Sequence, residues 1–178
     1  MPPRTPWRAV VDVAVTLVAL ALLVLAWAVV DAGVLAWGAQ WTGLCWAAVV
    51  VREPERWLPR RWAPVRPAEP RWYRRCGVEA FRRALGAVGW NRSVDAGRGF
   101  DGTRATLDAL ETGTRRSEGA HLLLLGLTVL LAVTGLVLGR PAVAAWPAAL
   151  AVPFHVYPVL LQRTTRYRLQ RLTALRVS

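Results

Sequence analysis

Apolar residues gather in four long runs, and polar residues gather between and after them. A bilayer hydrocarbon core takes about 20 residues of helix. Residues 10–30 are apolar except at Asp12 and Thr16, and residues 32–51 form a second run diluted by Gln40, Thr42 and three glycines. Residues 121–139 are mostly Leu, Val and Gly with no charge beyond His121, and residues 142–161 form a fourth run crossed by Pro147, Pro153 and Pro158. The predicted class is all-α: one integral membrane domain over residues 1–178 with four transmembrane helices. Asp31, Gly33 and Gly38 suit a tight turn between the first two, and Arg140-Pro141 breaks the third run from the fourth. The first run follows Arg4 and Arg8, but it exceeds the roughly 7–15 residues of a signal-peptide core. Another apolar stretch follows it, so it is predicted as a retained span.

The polar stretches predict a second layer of structure. Residues 52–119 form a long loop rich in arginine, and residues 162–178 a basic tail with Arg163, Arg166, Arg168, Arg171 and Arg176. Within the loop, residues 52–70 hold Pro, Arg and Trp without helical period and are predicted to lie along the membrane surface. Residues 71–86 place Cys76, Val78, Phe81 and Leu85 on one face. Arg71, Arg74, Arg75, Arg82 and Arg83 fall largely opposite, as in an interfacial amphipathic helix. Residues 86–102 are glycine-rich turns. Residues 103–119 are predicted as a helix that runs without a break into the third span. Basic residues near helix ends mark the cytoplasmic side. Only Arg140 falls on the other side, so the predicted arrangement is multi-pass in the cell membrane with both termini cytoplasmic. Trp27, Trp37, Trp41, Trp46, Trp57, Trp62, Trp72 and Trp146 lie mostly near span ends, as an aromatic belt does.

Composition narrows the classes further. The 178-residue chain is 54% apolar yet carries a net charge of +12, and all 23 basic residues are arginine. A soluble chain this basic would be a nucleic-acid binder or partly disordered, and more polar than this one. Nucleic-acid binding ranks last, because the arginines flank spans. Cys45 and Cys76 read as unpaired thiols, and no zinc-ligand spacing exists. Without lysine there is no amine nucleophile or base, so proton transfer falls to a carboxylate or to His121 or His155.

Glu118 and His121 stand three apart at the mouth of the third span and share a helix face. Glu111 and Arg115 extend that face into one polar stripe. A carboxylate beside an imidazole can orient it as a general base. The same spacing also fits a polar rim at the membrane surface, with a Glu–Arg ion pair and a histidine marking the helix end. His155 is an ionisable residue inside an apolar run, which points to function or to a buried polar partner; it could also satisfy a carbonyl left open by a neighbouring proline. Gln162 follows seven residues later, then Arg163 and Arg166. The expectation is one polar cleft holding both histidines, Glu118, Gln162 and Arg163.

Two blocks carry a resemblance. Thr114-Arg-Arg-Ser-Glu-Gly-Ala-His121 precedes an apolar hairpin, and Pro158-Val-Leu-Leu-Gln-Arg-Thr-Thr-Arg-Tyr-Arg-Leu169 ends it. This resembles the signature of the glycosyl-4,4'-diaponeurosporenoate acyltransferases, small bacterial membrane proteins with an E-T-x-R-A-E-x-x-H block, an apolar hairpin and a Q-R-Y-N-R-x-R-L block. Arg116, Glu118 and His121 match the first block, and Gln162, Arg163, Arg166, Arg168 and Leu169 the second. Tyr73-Arg-Arg-Cys-Gly-Val78 and Phe81 resemble a segment upstream of both. The resemblance covers about residues 69–172. Gly113 stands at the first acid of the block, with Glu111 two residues earlier. Thr164-Thr165 replaces Tyr-Asn, and His155 aligns with a hairpin asparagine.

The resemblance implies a membrane-embedded acyltransferase of carotenoid biosynthesis. Such an enzyme moves a fatty acyl group from an acyl thioester donor to a hydroxyl of a glycosylated isoprenoid or other glycolipid, with no cofactor and no metal. In that reading His121, Glu118 and His155 are catalytic; Arg116, Gln162, Arg163, Arg166, Arg168 and Tyr73 bind substrate. A second reading is a non-catalytic membrane assembly or anchoring protein whose basic loop binds anionic lipid or a cytosolic partner. A third is a metal-dependent enzyme using Glu111, Glu118, His121 and His155.

Overall fold

The structure, a computed structural model, describes residues 6–51, 64–90, 94, 97 and 99–174. Much of the 52–70 surface segment, with Trp57, Trp62 and Arg176, lies outside the described residues. Among the described residues every regular element is helical: α1 (Pro6–Val29), α2 (Ala32–Val50), α3 (Glu69–Arg75), α4 (Val78–Ala87), α5 (Leu107–Val137), α6 (Pro141–Ala151) and α7 (Tyr157–Ala174). Four helical stretches are long and apolar enough to cross a membrane: Pro6–Val29, Ala32–Val50, Arg104–Val137 and Pro141–Leu172. The predicted all-α membrane class holds, including the diluted second span. The chain divides into two compact units. One comprises Met1–Arg52 and Leu123–His155, the other Glu53–Leu122 and Val156–Ser178.

In the first unit, α1 buries none of its side chains against protein. Leu17, Val24 and Leu25 stand more than half exposed, as lipid-facing residues would. Its one hydroxyl, on Thr16, is satisfied both locally and by a neighbour. The Thr16 hydroxyl donates to the Asp12 carbonyl at 2.7 Å and accepts from the Trp46 indole of α2 at 3.0 Å. The turn to α2 is Val30-Asp31, with Asp31 as the cap of α2. Asp31 Oδ1 accepts from the backbone N–H groups of Gly33 (2.8 Å) and Val34 (3.1 Å), which are otherwise unpaired donors of the first turn. Gly33 and Gly38, expected in the turn, lie inside the helix.

The α5–α6 connection ends by backbone geometry. Arg140 N–H donates to Gly135 O at 2.8 Å and Gly139 N–H to Leu136 O at 3.0 Å, with Gly139 at φ +66°. That pairing is the Schellman stop, which needs a residue in the left-handed region. Pro141 then opens α6, where its missing N–H costs nothing. Arg140 lies over the Trp27 ring, 4.7 Å from its centroid. Gly135 is required for a second reason: a Cβ there would stand 3.0–3.1 Å from the Val143 and Ala144 backbone, so α6 packs directly on it. Small buried residues, Ala36 and Ala47 on α2 and Ala144 and Ala151 on α6, permit the close approach typical of helices in lipid. The three prolines do not interrupt the fourth span. Pro147 sits inside α6, and Val152–Val156 widens into one π-helical turn around Pro153 before the helix resumes.

In the second unit the predicted amphipathic helix is split. α3 ends at Arg75, and Gly77 at φ +81° redirects the chain into α4. The facing is as expected, with Tyr73 and Val78 buried and Arg71, Arg74, Arg75 and Arg83 exposed. The break frees the Cys76 carbonyl to accept from the Tyr157 hydroxyl at 2.8 Å, while Phe81 stacks on the Tyr157 ring at 5.0 Å. α5 begins, through a short 3-10 turn at Arg104–Thr106, well before the apolar run, as the unbroken 103–119 pattern predicts. The basic residues after the fourth span continue as helix to Ala174.

Candidate functional site

Three helices of the second unit bring the charged residues together. On α5, Thr114, Glu118 and His121 recur at helical spacing. The first two are fully buried and His121 is half-buried. On α7, Gln162, Arg163, Arg166 and Leu169 form the buried face. On α3, Glu69 and Tyr73 lie one turn apart, joined by a hydrogen bond from the Tyr73 hydroxyl to Glu69 Oε2.

Arg163 is the centre of the arrangement. Its Nε donates to Glu69 Oε2 at 2.9 Å and to the Tyr73 oxygen at 3.2 Å. Its Nη2 lies 2.8 Å from the same Glu69 oxygen, and its Nη1 donates to Glu118 Oε1 at 2.9 Å. Arg166 Nη1 donates to the other Glu118 oxygen. The network thus holds two carboxylates and two guanidiniums, and its formal charge sums to zero. Unpaired buried charge is costly, and full mutual pairing is the condition under which it is tolerated. Only a guanidinium presents enough fixed donors to bridge carboxylates from two helices, which gives the all-arginine composition a local purpose. Arg166 Nη2 is buried with no hydrogen-bond partner among the described residues.

Tyr73 and Glu69 are tuned by this setting. Burial, and then donation to Glu69, pushes the Tyr73 phenol up to about 12. Burial alone would raise Glu69. The hydrogen bonds from Tyr73, the Arg66 backbone and Arg163, with the Arg163 charge, outweigh it and hold the carboxyl below its usual range.

The remaining expected residues fall elsewhere. Glu111 and Arg115 pair with each other at 2.7 Å on the more exposed side of α5. Within the expected four-residue stripe, Glu118 pairs with Arg163 and Arg166 of α7, while Glu111 pairs with Arg115. Arg116 and Arg168 are exposed. His155 belongs to the first unit, where its Nε2 hydrogen bonds Gln40 Oε1 and both side chains are almost wholly buried. Trp37 and Trp41 meet Phe154 edge-on beside it, at 5.2 and 5.7 Å. Sequence reasoning missed Glu69 and Gln40 as members of these clusters. Glu69 had a signal in its four-residue spacing to Tyr73. Gln40 had one too, as a polar residue inside an apolar run, but it reads there as a weakness of the span. Among the described residues no group of three or more His, Cys, Asp and Glu side chains is placed to hold a metal ion.

A protein-family model described as glycosyl-4,4'-diaponeurosporenoate acyltransferase matches residues 54–175. The chain belongs to this family. No curated protein and no solved structure matches it. The family region contains the whole of α3 to α7, and so every member of the Glu69–Tyr73–Glu118–Arg163–Arg166 network. The α1–α2 hairpin, with Gln40, precedes it. The two blocks that carry the resemblance lie on α5 and α7, two of the three helices this network ties together.

Proposed function

We propose that the protein is a membrane-embedded acyltransferase that esterifies a hydroxyl of a glycosylated isoprenoid or other glycolipid with a fatty acyl group from a thioester. The observation that carries this reading is membership of the acyltransferase family over residues 54–175. Four spans supply the apolar setting such an acceptor needs. The distribution of arginine favours an arrangement with both termini and the long basic segment in the cytoplasm.

His121 is the proposed base. It takes the proton of the acceptor hydroxyl as that oxygen attacks the thioester carbonyl. The tetrahedral intermediate then expels the thiolate, which leaves with the proton as free thiol. Glu118, Arg163 and Arg166 are assigned as positioning residues. Glu118 is held by both arginines, and this fixes the helical turn that carries His121 three residues later. His155, paired with Gln40 in the first unit, is assigned to handling of the acceptor. Full-length protein in nanodiscs, given a glycolipid acceptor and labelled acyl-coenzyme A, is expected to form the acylated product. His121→Ala should abolish turnover with an unchanged melting temperature, and full activity in that variant would remove the base.

A non-catalytic anchoring role draws on one observation: the buried charges satisfy one another, as structural ion pairs do. The two readings part on His121, which that role would leave replaceable.

A further inference from the structure

The signature arginines Arg163 and Arg166 are buried and committed to carboxylates, so they are poorly placed to receive a phosphate-bearing ligand. A different set of arginines is open. A cleft of about 380 Å³ in the second unit is lined by Arg71 and Arg74 of α3 and by Arg168 and Arg171 of α7. All four are exposed, and none makes an ion pair among the described residues. Each helix contributes residues three apart, which share a face. The cleft therefore presents two arginine pairs, one from each helix. The single acid on its wall, Glu79, is already engaged by Arg82 in a bidentate pair. Tyr167 of α7 also lines the cleft and supplies an aromatic side chain.

We propose that this cleft binds the phosphate-bearing nucleotide of a coenzyme A-type acyl thioester. The chemistry it fits is a ligand with separated phosphate groups and a planar base. Guanidiniums bind phosphate oxygens through paired hydrogen bonds, and a ring face accepts a base or stacks with arginine. The volume lies within the range of about 300–1,000 Å³ usual for small-molecule sites and exceeds what one phosphate fills. The identity of the thioester rests on the acyl-transfer reading above, but the binding of a nucleotide does not.

The test uses full-length protein in nanodiscs of zwitterionic lipid and measures binding and acyl transfer separately. Coenzyme A should bind saturably and more weakly as salt is raised. The form lacking the 3'-phosphate should bind several-fold more weakly, and pantetheine, which lacks the nucleotide, should not bind measurably. R71Q/R168Q should weaken coenzyme A binding by about tenfold or more without moving the melting temperature. R83Q, an exposed arginine outside the cleft, should leave binding unchanged. Unaltered coenzyme A affinity in R71Q/R168Q, or pantetheine binding as tight as coenzyme A, would overturn the proposal. So would arginine-dependent binding to phosphatidylglycerol vesicles with no coenzyme A binding, which would assign the cleft to a lipid headgroup. Acyl transfer with an arginine-insensitive donor affinity would leave the acyltransferase and remove the cleft. Arginine-dependent coenzyme A binding with no transfer to any acceptor would do the reverse.

Discussion

Among the described residues, the buried polar side chains of the first unit are Gln40, Thr128 and His155, and those of the second are Thr114, Glu118, Gln162, Arg163 and Arg166. The first set contains no acid and no arginine, and its central pair is an amide with an imidazole. The second set is built on carboxylates and guanidiniums. The difference follows from surroundings. The first unit consists of apolar helices whose outer side chains face lipid, where a charge is expensive and an amide–imidazole pair asks for less. The second unit is made from amphipathic and Arg-rich helices. There it can bring two acids against two arginines and close the charge to zero. The central contact of the first unit joins two neutral side chains, whereas that of the second joins four charged groups from three helices at once.

The sharpest way to break this comparison is at Glu118. Removing it with Glu118→Ala takes the carboxylate from buried Arg166 and leaves Arg163 with its Glu69 and Tyr73 partners, and breaking such a buried pair costs about 3–5 kcal/mol. Thermal unfolding in nanodiscs should show a loss of that order, and a loss under 1 kcal/mol would mean the network contributes little to the fold. The first unit should respond on a smaller scale and with a different pattern. Gln40→Leu or His155→Leu alone removes one partner of a buried hydrogen bond and leaves the other atom of that bond without it, at about 1–3 kcal/mol. The double variant, which removes both partners, should recover most of that loss. A double variant as unstable as the sum of the two would show that the pair is not coupled.

The smallest effect probes the edge of the network. Tyr73→Phe removes one hydroxyl, expected to cost about 1 kcal/mol at neutral pH. Its pH signature is more specific. The Tyr73 phenol is raised to about 12 when folded, whereas an unfolded tyrosine titrates near 10. Between those values the folded state binds the extra proton. Its contribution is complete below about pH 10 and is lost as pH rises through about 12. The Glu69 carboxyl is lowered, so its contribution is present above the ordinary carboxylate range and is lost as pH falls through its lowered value. Tyr73→Phe should abolish the alkaline loss of stability and shrink the acid one, because the Tyr73 hydroxyl is the strongest of the groups that lower Glu69. An alkaline loss that persists in the variant would assign it to another group.

The sequence alone determined the fold class, because four runs long enough to cross a bilayer leave little choice: their backbone groups must be satisfied internally, and only helix does that within one segment. Its two arginine-rich blocks and their spacing also pointed to the family. It placed Glu118 and Arg163 in the same candidate cluster, but as a base-orienting acid and a ligand-binding arginine. The tertiary structure decided that Glu118, Arg163 and Arg166 face one another, that Glu69 and Tyr73 close the network, and that Gln40 is the partner of His155. These are pairings between positions 45 to 115 residues apart. Helical period shows which residues share a face, but not which face of another helix they meet. The tertiary structure also split one predicted amphipathic helix at Gly77. Such a break depends on a left-handed backbone and on the Tyr157 hydroxyl that uses the freed carbonyl, and neither is written in the spacing of apolar residues.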